Sequence, residues 1–259
     1  MFVLPQHVFL FLIGVSLLCA ADKDKDQTFF LSQIQQWALQ RTIFPLGNLT
    51  KKTVKEIAAS AGMEKLALKK ESMGICFIGS RNFQDFIEEY IEPRQGNFID
   101  IETDTIVGTH KGTHYWTLGQ RCNLGGLAAA YFVAQINPVT QDIHVAAGTD
   151  HPALFSETFQ TGPVHWIKQN FYYEPPVEKF DAMFRFQHKH PLIGCSCSLR
   201  DDGGYNVTLA RPMRAVTPGQ YAVFYCDDTC LGSARILSLG PSLFQLGVNS
   251  RIDIPLELS

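Results

Sequence analysis

The spacing of apolar residues changes near residue 96, and that change limits the fold more than any other feature of the chain. Before it, apolar side chains recur every three or four positions; after it they alternate. The first pattern marks amphipathic helices and the second half-buried strands. Residues 25–40 predict a helix with Phe29, Phe30, Ile34 and Trp37 along one stripe, ended by Phe44-Pro45-Leu46-Gly47. Thr50 reads as the N-cap of a helix over residues 51–61, with Gly62 as its stop. A third helix is expected over residues 82–90, with Phe83, Phe86, Ile87 and Tyr90 inward and Pro93 and Gly96 closing it.

Beyond that point, residues 98–101, 114–118, 131–136 and 143–147 read as strands, with Asn137-Pro138 turning between the last two. Tyr173-Glu174-Pro175-Pro176 marks a boundary. It is followed by candidate strands at 182–188, 193–199, 205–210, 221–226 and 231–237. Asp201-Asp202-Gly203-Gly204, Pro218-Gly219 and Asp227-Asp228 turn between them. Five or six short strands at this spacing suggest a small antiparallel β-barrel. The fold class is therefore α+β. The expected divisions are an apolar leader (1–21), a short helical segment with a cysteine loop (22–80), a small β-rich central domain (81–170), a C-terminal antiparallel barrel (171–245) and a tail (246–259).

Hydrophobic residues make up 46% and charged residues 18% of the chain, so it can bury a core and is not a disordered polymer. A net charge of −3 does not advertise nucleic-acid binding. Locally the picture differs. Arg41, Lys51, Lys52, Lys55, Lys65, Lys69 and Lys70 face only Glu56 and Glu64, seven basic residues against two acidic ones, a balance of +5. This is either an ordinary solvated helix face or a strip facing phosphate. Residues 8–18 form an apolar run too short for a comfortable membrane span, and Cys19-Ala20-Ala21 follows like a signal-cleavage site. The basic start of a signal peptide is missing. Two sequons, Asn48-Leu49-Thr50 and Asn206-Val207-Thr208, fit secretion. Six cysteines beyond Cys19 are sparse for a disulfide framework, and we expect mostly reduced thiols.

Cys76 lies between Gly74 and Gly79, just after Lys69 and Lys70. Nearby positive charge raises the thiolate fraction, and the glycines permit a tight turn and close approach of a ligand. A buried structural cysteine is the alternative. Cys195-x-Cys197 and Cys226-x3-Cys230 offer four thiolates, but their spacing departs from the short turn-borne pairs of zinc sites. Core cysteines are expected there, and no metal site is predicted. His110, His114, His144, His151 and His165 are scattered. Neither a Walker loop nor a dinucleotide fingerprint occurs. Gln120-Arg121, at the end of Thr117-Leu118-Gly119, suits phosphate or base-edge contact, or is an ordinary polar turn.

Together these segments resemble the tRNA 2-thiouridylase (tRNA-specific 2-sulfurtransferase) family. The resemblance runs in register through Lys25-Asp26-Gln27-Thr28-Phe29-Phe30-Leu31, Phe44-Pro45-Leu46-Gly47, Glu71-Ser72-Met73-Gly74-Ile75-Cys76-Phe77-Ile78-Gly79 and Gly108-Thr109-His110-Lys111-Gly112. It continues through Thr117-Leu118-Gly119-Gln120-Arg121, Asp150-His151-Pro152-Ala153-Leu154, Val164-His165-Trp166-Ile167, Thr217-Pro218-Gly219-Gln220 and Cys230-Leu231-Gly232. It implies ATP-dependent (Mg-assisted) activation of a wobble uridine at C2, followed by replacement of its oxygen by sulfur. Cys76 would carry that sulfur as a persulfide received from a donor protein. tRNA contacts would map onto Lys25, Asp26, Gln27, Gln187, His188 and Gln220, with Gln187 departing from the arginine usual there. Residues 22–80 would be a remnant of an ATP-pyrophosphatase domain.

The family's Ser-Gly-Gly-Val-Asp-Ser loop and its second reactive cysteine do not occur in this sequence. The resemblance thus implies an N-terminally shortened form whose ATP-binding part is absent, inactive alone, with a mitochondrial location. Two other functions stand beside it. One is a non-catalytic tRNA-binding or regulatory module. The other is a secreted, disulfide-bonded domain, motivated by the leader and the sequons. No stable membrane association is expected unless the leader is used.

Overall fold

The computed structural model describes residues 14–69, 83–126, 128–168 and 177–253. Cys76, Lys70, most of the leader and the Pro175-Pro176 joint lie outside the described residues.

The chain enters through β1 (Leu17–Leu18) and then α1 (Thr28–Leu31), α2 (Gln36–Leu39), α3 (Lys51–Ser60), α4 (Glu64–Ala67) and α5 (Phe83–Glu88). The single helix expected over residues 25–40 is instead two short ones. Long-range side-chain bonds pull the segment out of helical register. Gln33 donates to Ser233, and Gln36 donates to the carbonyls of Val15 and Ile167. Ser32 folds back on the Phe29 carbonyl at the break. The expected stripe is split accordingly: Phe30 and Trp37 are 62% and 64% exposed, whereas Phe29 and Ile34 pack on the barrel. The Thr50 cap does form, accepting from Thr53 N at 3.2 Å, and Gly62 follows α3 with φ +79°. Tyr90, expected inward, is exposed.

The central domain is one sheet built from β2 (Gly96–Asp100), β3 (Ile106–His110), β4 (Arg121–Cys122), β5 (Tyr131–Ile136) and β6 (Ile143–Ala147). Its order is β3-β2-β6-β5-β4, with β2 and β6 parallel. Phe98, Val133, Ile143 and Val145 form its core, and Trp116 packs on them edge-on. The strand expected at 114–118 is not one. Thr113–Tyr115 is a single 3-10 turn, and the strand lies earlier at β3.

The C-terminal unit is a closed antiparallel barrel of β7 (Phe155–Thr161), β9 (Lys179–Arg185), β10 (Ile193–Leu199), β11 (Tyr205–Arg214), β12 (Tyr221–Cys226) and β13 (Thr229–Leu239), with β8 (His165–Trp166) alongside β13. β7 precedes the Pro-rich joint, so the barrel takes in chain ahead of residue 171, where its start was expected. Phe159, Phe184, Phe224 and Ile236 fill the interior. One edge of β13 pairs with β1, β8 and β7 in succession. Gly232 makes this possible: a Cβ there would lie 2.0 Å from the His165 carbonyl oxygen. Alternation along β12 sends Phe224 inward and Val223 and Tyr225 outward, where Leu17, Leu39 and Ile167 cover them. The chain around residues 15–39 therefore forms a cover on the barrel's outer face. Leu17, placed in a detachable leader by the sequence reading, is 4% exposed and part of this core. The expected tail likewise joins the fold: Val248 and Ile252 pack on a cluster of Ala146, Leu154, Phe155 and Leu243 between the sheet and the barrel.

Candidate nucleic-acid interface

Lys25, Asp26 and Gln27 form a turn whose middle residue points inward. Asp26 is 2% exposed. Its Oδ2 accepts from Arg185 Nη2 at 2.7 Å and from Thr28 Oγ1 at 2.7 Å, and its Oδ1 accepts from the backbone N of Ala20. Burial by itself raises the Asp26 pKa, but the hydrogen bonds from Thr28, Ala20 and Arg185 outweigh it and hold the carboxylate below its usual range. Arg185 also donates to Tyr225 OH at 3.0 Å and to the His188 carbonyl at 3.1 Å, with its guanidinium 4.9 Å from the Tyr225 ring centre. Burial dominates the Tyr225 environment and pushes its pKa up to about 12. The His188 ring rests 5.1 Å from that of Phe30. One buried arginine thus ties residues 25–28 to residues 187–188 across the barrel wall. Lys25 and Gln27 remain exposed on either side of the buried Asp26.

A second gathering lies at the junction of barrel and central sheet. Gln120, Gln187 and Gln220, from three separate turns, line one cleft of about 490 Å³ together with His190, Arg211 and Arg214. Arg214 builds the junction. It donates to the carbonyls of Gly119 (2.8 Å) and Thr149 (3.1 Å) and lies 5.1 Å from the Phe132 ring centre. Gly119 has φ +77°, and a Cβ there would meet the Ala215 Cβ at 2.5 Å. The two units approach that closely only because this position is glycine. Gln120 Oε1 accepts from the backbone N and hydroxyl of Thr117, which sets the turn. Burial, and then the charge of Arg214, lower the His190 pKa and favour the neutral ring. Arg121 is exposed on β4 and does not line this cleft.

Sequence reasoning missed Arg185, His190, Arg211 and Arg214. Two signals were available: a charged residue between Phe184 and Phe186, and Arg211-Pro212-Met213-Arg214, a proline inside a strand flanked by arginines.

The remaining candidates are dispersed. The described cysteines, Cys19, Cys122, Cys195, Cys197, Cys226 and Cys230, are all free thiols. Cys195 and Cys197 share one face of β10 in the barrel core, 4.0 Å apart, while Cys230 lies under the cover and Cys226 is exposed, so the four are not one site. Arg41, Lys51, Lys52, Lys65 and Lys69 are exposed along the helical segment. Among the described residues, no group of three His, Cys, Asp or Glu side chains is placed to hold a metal ion. The start of α3 is closed by Thr50 and by Asp22 Oδ2, which accepts from Lys51 N.

Comparison with known proteins matches all three parts of this architecture. Residues 13–80 match the tRNA methyl transferase HUP domain, residues 84–147 the tRNA methyl transferase PRC-barrel domain and residues 156–236 the aminomethyltransferase beta-barrel domain. The match begins at residue 13, so residues 13–21 of the expected leader fall within it. The mitochondrial tRNA-specific 2-thiouridylase 1 of Gallus gallus is 51% identical over 245 residues, covering 90% of this chain and 57% of the relative. That of Homo sapiens is 50% identical over 243 residues, covering 92% and 57%. The tRNA-specific 2-thiouridylase of Mycoplasma capricolum is 40% identical over 222 residues, covering 85% and 59%. The chain belongs to the tRNA-specific 2-thiouridylase family. It spans a little over half the length of these relatives.

Proposed function

We propose that the chain takes part in the 2-thiolation of uridine in tRNA, in mitochondria, as its animal relatives are named for. The central sheet and the barrel hold the tRNA. Cys76 takes the outer sulfur of a donor protein's persulfide, leaving the donor as a thiol; that sulfur then bonds to C2 of the ATP-activated uridine as the activated oxygen leaves with the adenylate, and a second thiol from outside the described residues forms a disulfide with Cys76 and frees the thiolated base. The ATP-dependent activation that the family resemblance implies lies with none of residues 14–69, 83–126, 128–168 and 177–253, and the chain alone binds tRNA without thiolating it.

The observation that carries this reading is the cleft that brings Gln120, Gln187 and Gln220 together from positions spread over a hundred residues. Amide side chains supply both donors and acceptors, as contact with base edges and sugars requires. Lys25 and Gln27, fixed through Asp26 and Arg185, extend the surface. Filter binding of a tRNA transcript to the full chain tests it. Affinity is expected to fall steeply between about 50 and 200 mM salt, because phosphate contacts release counterions. Replacing the three glutamines by alanine is expected to weaken binding by tenfold or more, at about 1.4 kcal/mol or more of lost contact in sum, while Cys76→Ala leaves binding intact and removes the added sulfur from the intact mass after incubation with a persulfide donor. No affinity at low salt overturns the reading.

A further inference from the structure

Among residues 1–13 only Gln6 and His7 are polar, and the segment leads directly into the cover. Its removal at the cleavage-like Cys19-Ala20-Ala21 site would also remove β1. Leu17 pairs with Cys230 of β13 and is 4% exposed, so that cut would open the core of the cover. The fold therefore favours a chain that keeps its apolar start. The point of attachment is fixed by Gln36. Its Oε1 accepts from the Val15 N–H at 2.7 Å, and its Nε2 donates to the Val15 carbonyl at 3.0 Å. Gly14, just ahead, has φ +70°, a turn that favours glycine.

A cavity of about 750 Å³ opens at this same point, with Val15, Leu17, Leu31 and Leu39 in its wall. Part of the wall is finished core: Leu17 and Leu39 are buried. The rest is not. Leu18, Ile43 and Leu46, which also line the cavity, are more than half exposed. Contiguous exposed apolar surface of this kind marks a place where something docks.

We propose that this cavity is the seat of residues 1–13 of the same chain, whose apolar side chains fill it and cover Leu18, Ile43 and Leu46. Tethering favours this occupant over a second copy. A segment held at the lip by a short linker is present there at an effective concentration on the order of millimolar. Length favours it over a membrane. A span takes about 20 apolar residues, and the strand β1 already commits Leu17 to the barrel. Thirteen residues reach at most about 45 Å when extended, enough to cover this face without leaving it. The inference is independent of the tRNA reading.

The test reads Cys19, which lines the cavity, against Cys226, which is exposed and outside it. N-ethylmaleimide labelling of the full chain is followed peptide by peptide by mass. It is compared with a chain lacking residues 2–12 and with a full-length Phe9→Asp/Leu12→Asp variant, which serves if the shortened chain fails to fold. Both changes are expected to speed labelling of Cys19 roughly tenfold or more, since a thiol reacts only where the reagent reaches it. Cys226 should label as in the parent, and Cys195 and Cys197 in the barrel core should stay unlabelled, which shows that the barrel is intact. Parent-like labelling of Cys19 in the variants overturns the proposal. So does protection of Cys19 that is lost on dilution, which assigns the cavity to a second copy. Labelling that slows only when phospholipid vesicles are added assigns the segment to a membrane and overturns it equally.

Discussion

The barrel and its N-terminal cover are built from equally apolar sequence, yet they bury it differently. Phe184, Phe186 and Phe224 in the barrel are fully buried, whereas Phe30 and Trp37 in the cover are more than 60% exposed and Ile43 and Leu68, in the helical segment that follows it, 85%. The barrel closes on itself through the pairing of β13 with β7, so every inward residue meets another strand. The cover has only one face to rest on, the outer side of β12, and only those residues that reach it are buried. An apolar stripe in sequence therefore states that burial is wanted, and the tertiary contacts of this chain decide which residues obtain it.

Arg185 joins the two regions and gives the largest expected effect on the contrast. Arg185→Ala would leave Asp26 charged and unpaired in a buried site, at a cost of about 3–5 kcal/mol. It is expected to release residues 15–39 from the barrel before the barrel itself melts. Urea denaturation followed by hydrogen exchange would show whether the cover opens first. The pH dependence has a definite sign. Because the folded Asp26 pKa lies below its unfolded value, the stability it contributes is complete above the ordinary carboxylate range and is lost as pH falls through the folded value. Asp26→Asn should flatten that acid limb.

A pair of truncations sharpens the same contrast. Phe224→Ala removes a ring with no exposure and should destabilise the barrel by about 3–5 kcal/mol. Trp37→Ala, a larger side chain on the cover, should change stability by no more than about 0.5 kcal/mol, as exposed positions do. Thermal melts of the two variants against the parent read this directly. Equal losses would mean that the cover buries Trp37 in solution.

Much of the central sheet and the barrel was legible because period-two alternation survives wherever a strand has one wet and one dry face. Residues 131–136, 143–147, 193–199 and 221–226 fold as strands with the bounds read from sequence. The break in the first helix was not legible, since it depends on Gln33 and Gln36 reaching partners about 200 and 130 residues away. Of the candidate interface, Gln120, Gln187 and Gln220 were named singly, but their convergence was not. It requires the left-handed turn at Gly119 and the interrupted pairing of β11, neither of which has a periodic signature. Asp26 was named beside Lys25 and Gln27 as one contact. Its burial against Arg185 gives it a different place in the structure, holding the turn from below while its neighbours face solvent.

The central claim is that RNA is held at the barrel–sheet junction and at residues 25–27, which Arg185 ties to residues 187–188. The alternative surface is the basic strip of the helical segment. Hydrogen exchange of the full chain, with and without a tRNA transcript at low salt, compares them directly. The account predicts that tRNA slows exchange in the turns around residues 117–121, 186–190 and 217–220 and near residues 25–27, more than along residues 51–69. Protection confined to residues 41–69, with the junction turns exchanging as in the free protein, would contradict it.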